Sequence, residues 1–249
     1  MNAGDRPRAR FLLVVATLIA GCVPAPVSEH AADTATAAPL VSPSAVPVSA
    51  DTPAVRAASP ERVARRTTVR VRSLGCGRIG TASAVAVGRR LLVTNRHVVA
   101  GADRIELNYW DGSRAEARPR TVAVADDLAL VEVSRRLPAV ARVAPDDASK
   151  GAELFVVGFP NGGQQTIARG ELIEYAPLER HPDASPVMRL SAPIAPGNSG
   201  GPVLDASGAV IGVVFGIETA TGHGLAVPAS AVLELLEQRD AGGSVPSCP

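Results

Sequence analysis

The chain has few aromatic residues, a single lysine and a net charge near zero. Aromatic residues make up 3% of the 249 positions and hydrophobic residues 46%, so a core would consist mainly of Val, Ala, Leu and Ile. Lys150 is the single lysine, and the net charge of +1 gives no field that would attract nucleic acid or acidic substrates. Because no His-x-x-x-His or Cys-x-x-Cys pair occurs, the sequence predicts neither a metal nor another cofactor.

The N-terminal segment is typical of an export signal. Arg6, Arg8 and Arg10 precede an apolar run over residues 11–19 that is too short to span a bilayer stably. Residues 18–22 read Leu-Ile-Ala-Gly-Cys, which resembles a bacterial lipobox. We therefore expect removal of residues 1–21, acylation of Cys22 and a lipid-anchored location in the bacterial cell envelope. A plain secretory signal that ends in cysteine is the alternative.

Residues 22–62 are predicted to be a disordered tether that follows the lipidated cysteine. The segment is rich in Pro, Ala, Ser and Thr and has no periodic apolar face, so it cannot bury a core. With Cys22 acylated, Cys76 and Cys248 remain in an oxidising compartment. We expect these two to form a disulfide that joins the C-terminal tail, residues 241–249, to the domain. Two free thiols are the alternative.

One serine lies in a glycine-dense turn, because residues 196–202 read Pro-Gly-Asn-Ser-Gly-Gly-Pro. Acyl transfer needs a nucleophilic oxygen and N–H donors directed at the oxyanion that develops on the attacked carbonyl. Ser199 is the candidate nucleophile, and the N–H groups of Gly197 and Ser199 are the candidate donors. Taken alone, the segment could equally be an ordinary loop.

His97 and Asp127 are candidates for activating that serine. A serine hydroxyl needs a base to accept its proton, and the base needs a carboxylate to orient it. His97 directly follows an apolar β-type run, and Asp127 directly precedes another. A half-buried structural histidine and a solvated turn carboxylate are the alternatives, and Asp126 is interpreted as a solvated neighbour. The other histidines lie in less suitable surroundings: His30, His181 and His223.

Three sequence blocks occur in the order histidine, aspartate, serine. Thr-Asn-Arg-His-Val-Val at 94–99, Asp-Leu-Ala-Leu at 127–130 and Gly-Asn-Ser-Gly-Gly-Pro at 197–202 resemble the signature blocks of trypsin-like serine proteases of the bacterial HtrA/Deg type. The resemblance covers about residues 67–236. It implies a serine endopeptidase that acts on envelope or extracellular proteins, with Ser199 as nucleophile, His97 as base and Asp127 holding the imidazole tautomer.

The departures from that family are also informative. Asn198 stands where zymogen-activated trypsins carry an aspartate, which implies an oxyanion hole that needs no N-terminal cleavage. Only 10 residues follow Arg239, so the chain resembles family members that lack a PDZ domain. The resemblance leaves open whether the protein is a monomer or a trimer.

Twelve short apolar runs predict an all-β protein of two six-stranded antiparallel barrels with a C-terminal helix. The predicted protease domain is 63–240, with barrel 1 at about 67–145, barrel 2 at about 151–228 and the helix at 229–239, where Ser230 is the expected N-cap. The predicted strands are 67–71, 82–87, 91–94, 105–109, 121–125, 128–133, 153–158, 166–175, 187–191, 203–204, 210–215 and 224–227.

The resemblance also implies which segments form the substrate pocket. These segments contain no carboxylate, so we expect a small or medium apolar residue before the scissile bond, the P1 residue. Phe215 either narrows the pocket or belongs to the core. Two other functions stay open: a catalytically inactive fold that acts as a peptide-binding or scaffold protein, and an esterase-like hydrolase. The predicted pocket residues are Pro193, Ile194, Ala195, Val213, Val214, Phe215 and Gly216.

Overall fold

The computed structural model describes residues 59–123, 127–178 and 185–239. The predicted signal peptide, most of the tether, Asp126 and two of the cysteines, Cys22 and Cys248, lie outside these ranges. No helix within them is long and apolar enough to cross a membrane.

The first barrel is a closed sheet of six antiparallel strands in the order β1-β2-β3-β6-β5-β4. Short runs of β-branched and small apolar residues favour these strands, and Gly, Asp and Ser residues at several of the turns end them. The strands are β1 Thr68–Gly75, β2 Arg78–Gly88, β3 Leu91–Asn95, β4 Arg104–Asn108, β5 Arg114–Ala123 and β6 Leu128–Val133.

The second barrel repeats the same topology. Its order is β7-β8-β9-β12-β11-β10, and β7 pairs with β10 as β1 pairs with β4. The prediction of two six-stranded antiparallel barrels is therefore confirmed. The strands are β7 Glu153–Gly158, β8 Thr166–Ala176, β9 Val187–Leu190, β10 Pro202–Leu204, β11 Val210–Ile217 and β12 Gly224–Pro228.

An apolar cluster joins the outer faces of the two barrels. Strand β6 shows how it forms, because successive side chains of a strand point to opposite faces. Ala129, Val131 and Val133 fill the interior of the first barrel, whereas Leu128 and Leu130 face outward into the cluster. We call this set the interface cluster; its buried members include Val85, Val93, Leu128, Leu130, Val157, Leu204, Val210, Val213, Val227 and Leu235.

A helix precedes the first strand and overlaps the end of the predicted tether, residues 22–62. Helix α1 spans Pro60–Thr67, and the Ser59 side chain accepts a hydrogen bond from the Arg62 N–H at its start. Ala64 is fully buried in the interface cluster. The first residues of α1 therefore lie within the range assigned to the tether from the sequence.

The C-terminal helix, α3, spans Ala229–Glu237 and confirms the predicted helix. The prediction of Ser230 as its N-cap is wrong, because Pro228 occupies that position. Asp147, from the segment between the barrels, accepts hydrogen bonds from the Ser230 N–H (2.9 Å) and hydroxyl (2.8 Å). A carboxylate distant in sequence thus supplies the acceptor that a capping side chain would provide locally.

Candidate active site

His97 and Asp127 meet at one end of the first barrel. Strand β3 pairs with β6 so that Asn95 lies opposite Leu128, and His97 follows in the short helix α2, Arg96–Val99. Its Nδ1 lies 2.5 Å from Asp127 Oδ2, and its backbone N–H donates to Asp127 Oδ1 at 3.0 Å. An Nδ1–H that donates to the carboxylate leaves Nε2 free to accept a proton.

The backbone of Asp127 is also fixed from β3 and α2. Its φ is +52°, in the left-handed region that Asp tolerates better than most residues. The Asp127 carbonyl accepts the Arg96 N–H at 2.9 Å and the Asn95 side-chain amide at 3.2 Å. These bonds hold the carboxylate in register with the imidazole.

Arg96 is a charged neighbour that the sequence analysis missed. Its Nε lies 3.9 Å from Asp127 Oδ1, so a guanidinium stands beside the carboxylate that orients His97. In the sequence, its position directly before His97 was the only sign that Arg96 belongs to the site.

Two N–H groups of the turn around Ser199 have no hydrogen-bond partner in the part of the chain that the structure describes. Asn198 N–H donates to the Ala195 carbonyl at 3.0 Å, and Gly200 and Gly201 donate to Val214 and Asn198, both at 2.8 Å. Within the described residues, no acceptor is paired with the N–H of Gly197 or of Ser199. The two unpaired donors are the two that the sequence analysis assigned to an oxyanion hole.

Two glycines let this turn pack directly against backbone. Gly197 has a φ of +100°, and a Cβ there would lie 2.3 Å from the Phe159 carbonyl oxygen. Gly200 has a φ of +80°, and its Cβ would lie 2.1 Å from the Ser83 carbonyl oxygen and 2.2 Å from Thr94 Oγ1. Any side chain at either position would displace the turn.

The turn of the second barrel thereby lies against β2 and β3 of the first, and β3 leads into His97. Ser199 itself is half-buried. Within the described residues, no hydrogen bond joins its hydroxyl to the His97 ring. Such contacts often tighten only when substrate binds.

Ser83 is a second residue that the sequence analysis missed. It is fully buried in β2, its N–H donates to the Ser199 carbonyl at 2.8 Å, and its hydroxyl donates to the Gly197 carbonyl at 2.7 Å. The Phe159 N–H donates to the same hydroxyl at 3.1 Å. A lone polar residue inside an apolar strand was the signal that could have found it.

The predicted pocket residues differ in how far they are buried. Ile194 is partly buried, and its Cδ1 lies 2.1 Å from where a Cβ on Gly224 would stand, whereas a Cβ on Gly216 would meet open space. Val213 and Val214 are fully buried, and Phe215 packs against the interface cluster. Pro193 is exposed and Ala195 half-buried.

A charged network fixes the loop between β11 and β12. Arg189 donates to Glu174 at 2.8 Å and to Glu218 at 2.6 Å, and the Thr221 hydroxyl donates to Glu218 at 2.5 Å. The hydrogen bond from Thr221 and the positive charge of Arg189 hold the pKa of Glu218 below its usual range. Glu218, which directly follows the predicted pocket strand, is therefore engaged by an arginine.

A groove of about 760 Å³ is lined in part by His97. It is bounded by the hairpin between β1 and β2 and by the residues that follow α2. Ile79 is 63% exposed at this hairpin, so the groove has an apolar wall.

The fold and this arrangement together define a chymotrypsin-like, two-barrel protein. Residues 80–213 match the family described as trypsin-like peptidase domain. Because this match covers more than half of the chain, the chain belongs to that family.

Curated relatives and solved structures agree with this assignment. The serine protease Rv3671c of Mycobacterium tuberculosis is 30% identical over 187 residues, which are 72% of this chain and 45% of the relative. A DegP-like periplasmic serine endoprotease of Pseudomonas fluorescens is 28% identical over 159 residues, 62% of this chain and 33% of the relative. The chain thus spans less than half the length of these relatives.

Two solved structures show the same fold. The active form of the M. tuberculosis Rv3671c protease superposes with a TM-score of 0.70 at 26% identity, over 86% of this chain and 99% of that one. The HtrA-type protease AlgW, solved with a tripeptide, gives a TM-score of 0.67 at 27% identity, over 72% of this chain and 62% of that one.

Proposed function

We propose that the protein is a serine endopeptidase. The observation that carries the proposal is the pair of unpaired N–H groups, Gly197 and Ser199, on a turn that packs against the strand leading into the His97–Asp127 pair. Backbone donors that are unpaired at rest can bind a developing oxyanion without first breaking other hydrogen bonds. The membership of the chain in the trypsin-like peptidase family supports the same reaction.

The proposed mechanism assigns one step to each group. Ser199 Oγ attacks the peptide carbonyl carbon while His97 Nε2 accepts the hydroxyl proton, and the N–H groups of Gly197 and Ser199 bind the oxyanion. The C–N bond then breaks as His97 returns that proton to the leaving amine, which leaves an acyl-enzyme. A water molecule, deprotonated by His97, attacks the ester carbonyl, and the C–Oγ bond breaks as His97 passes that proton to Ser199 Oγ and the acid is released. Asp127 stabilises the imidazolium in both halves of the reaction.

The experiment is covalent labelling with a fluorophosphonate probe, followed by peptidase assays. Wild-type protein is expected to be labelled at Ser199, whereas Ser199→Ala should lose labelling and about 10⁶-fold in kcat. Ser149→Ala, which alters an exposed serine outside the site, is the matched control. Absence of labelling in the wild type would favour a non-enzymatic peptide-binding protein instead. Turnover of esters but not of amides would favour an esterase-like hydrolase.

We propose a small or medium apolar P1 residue. Ile194 occupies the space beside Gly224 that a longer substrate side chain would need, and Arg189 already engages Glu218. Ile194→Ala should therefore shift cleavage in a peptide library toward larger apolar P1 residues. Efficient wild-type cleavage after arginine would contradict the proposal.

We further propose that the protein is exported to the bacterial envelope and anchored by a lipid on Cys22. The lipobox-like segment supports the anchor, and a relative named periplasmic supports the compartment. Labelled palmitate should be incorporated by the wild type and not by Cys22→Ala. The proposed Cys76–Cys248 disulfide predicts that alkylation after reduction adds more mass than alkylation without it.

A further inference from the structure

We propose that Ser83 is a positioning residue that holds the oxyanion-binding turn in its productive shape; this inference rests on the proposed peptidase function. Ser83 belongs to the first barrel, whereas the turn belongs to the second. Its side chain is fully buried and reaches across the interface to the carbonyl of Gly197. The residue is therefore placed to control the turn without touching substrate.

The orientation of an N–H group follows from the carbonyl of the same peptide unit. In a trans peptide the C=O and N–H point in opposite directions, so anchoring the carbonyl directs the N–H. The Pro196 carbonyl, which shares a unit with the Gly197 N–H, accepts the Asn161 N–H at 2.6 Å. The Asn198 carbonyl, which shares a unit with the Ser199 N–H, accepts the Gly201 N–H at 2.8 Å.

Ser83 anchors the other two peptide units of the turn, which begin with the carbonyls of Gly197 and Ser199. Its hydroxyl holds the Gly197 carbonyl at 2.7 Å, and its backbone N–H holds the Ser199 carbonyl at 2.8 Å. Every carbonyl from residue 196 to residue 199 is thus fixed, and Ser83 fixes two of the four. The side chain is responsible for one of them, the unit that lies between the two oxyanion donors.

The same hydroxyl also anchors the segment that holds the Pro196 carbonyl. It accepts the Phe159 N–H at 3.1 Å, and Asn161 lies two residues further on with a left-handed φ of +54°. A shift of Phe159 would therefore move the Asn161 N–H and release the Pro196 carbonyl. The Ser83 hydroxyl thus acts on the Gly197 N–H in two ways. It binds the carbonyl of Gly197 itself, and it binds Phe159 in the segment whose Asn161 N–H holds the Pro196 carbonyl.

Removing the hydroxyl would leave two buried polar groups, the Gly197 carbonyl and the Phe159 N–H, without their partners. Such groups are costly to leave unpaired, so the turn is expected to rotate until they find other partners. The space left by one oxygen atom is too small for a water molecule to replace it. Rotation would take the Gly197 N–H out of the oxyanion position while the substrate pocket stays in place.

The test compares Ser83→Ala with wild type on a fluorogenic peptide that carries valine at P1. We expect kcat to fall about 10- to 100-fold with little change in KM, because the lost interaction forms only in the transition state. A peptide boronate with the same sequence, which forms a tetrahedral adduct, should bind more weakly by a similar factor. The affinity of the product peptide acid should not change.

Thr67→Ala is the matched control. Thr67, the last residue of α1, is also nearly fully buried, and its hydroxyl donates to the Val63 carbonyl at 2.8 Å. It should lower the melting temperature without changing kcat. Equal kinetic losses in both variants, or unchanged kcat in Ser83→Ala, would overturn the proposal.

If Ser83→Ala does not fold, Ser83→Cys tests the same positioning role. A thiol keeps nearly the same shape but is a weaker donor, so an intermediate kcat with unchanged KM is expected. Wild-type rates in this variant would overturn the proposal. Wild-type protein that neither cleaves peptides nor reacts with the fluorophosphonate would instead refute the peptidase function itself.

Discussion

Asp127 combines an unusual backbone conformation with a side chain whose two oxygens are both engaged. One oxygen contacts the His97 ring and the other accepts the His97 backbone N–H, so the carboxylate is bonded to both the ring and the backbone of the histidine. The backbone of Asp127 has a left-handed φ. The site therefore depends on local backbone geometry as well as on the identity of the side chain.

Asp127→Asn is expected to lower kcat by about 10⁴-fold with little change in the melting temperature. Asn tolerates the left-handed backbone, so the fold should persist, but its amide cannot stabilise the imidazolium and favours the wrong tautomer. Steady-state kinetics and thermal unfolding measure the two effects. Asp111→Asn, in an exposed turn where the carboxylate accepts from Ser113, is the control and should keep full activity. Near-normal activity in Asp127→Asn would contradict the assigned role.

Residues with a recognisable local pattern could be predicted from the sequence, and residues that act through distant contacts could not. The blocks around His97 and Ser199 are continuous in the sequence, so their candidate residues could be recognised from their immediate neighbours. The hydroxyl of Ser83 contacts a carbonyl 114 positions away, and no local pattern encodes that contact. The same reason explains why Arg96 was missed, since its charge matters only once Asp127 is beside it.

The start of α3 shows a contact between elements that local capping rules do not anticipate. Asp147→Ala should cost about 1 kcal/mol of unfolding free energy, because the Ser230 N–H and hydroxyl lose their acceptor. Chemical denaturation measures the change. The adjacent and exposed Asp146, changed to alanine, is the control and should alter stability by less than about 0.5 kcal/mol. Equal effects of the two substitutions would contradict the capping role.

The loop between β11 and β12 should respond to pH through Glu218. Because hydrogen bonding from Thr221 and the charge of Arg189 lower its folded-state pKa, the ionised carboxylate stabilises the fold above the ordinary glutamate range. That contribution is lost as the pH falls through the lowered value.

Glu218→Gln should therefore melt below wild type at neutral pH, and the difference should close in strongly acidic buffer. Melting curves across this pH range measure it. Glu237→Gln, at the exposed end of α3, is the control and should follow wild type throughout. A difference that grows on acidification would contradict the sign of the effect.

Helix α1 shows how a strong local signal can be outweighed. Ser59, Pro60 and Glu61 are typical of a helix start, but the Pro-rich and Arg-rich surroundings favoured a tether. The helix forms because the buried Ala64 packs into the interface cluster, which exists only when both barrels are present. Tertiary packing thus favours a helix at residues that composition alone assigned in part to the tether.

At the scale of the whole molecule, the interface cluster should make the two barrels unfold together. Leu130→Ala should cost about 2–5 kcal/mol, because Leu130 is fully buried between the barrels. Calorimetry should still show one transition, at a lower temperature. Ile79→Ala, at a side chain that is 63% exposed, is the control and should change stability little. Two separate transitions in the wild type would contradict this coupling.

The alternating apolar runs were sufficient to predict both barrels and their strand count. The packing of the two barrels against each other was not predictable. Strand β6 is buried on both faces, and its apolar sequence does not show which face lines the barrel interior and which face contacts the second barrel. Leu128 and Leu130 look in the sequence like further residues of a barrel interior. Only the pairing of β6 with β3 and β5 shows that they face outward.

The residues proposed for proton transfer and those proposed for oxyanion binding lie in separate halves of the chain. His97 and Asp127 belong to the first barrel, and the turn of Ser199 with the predicted pocket strand belongs to the second. Changes in the second half can therefore diversify substrate choice while the proton-transfer apparatus stays intact. Only His97 and Asp127 lie apart from such changes, because Ser199 shares its half with the pocket strand and Ser83 of the first barrel is bonded to the turn.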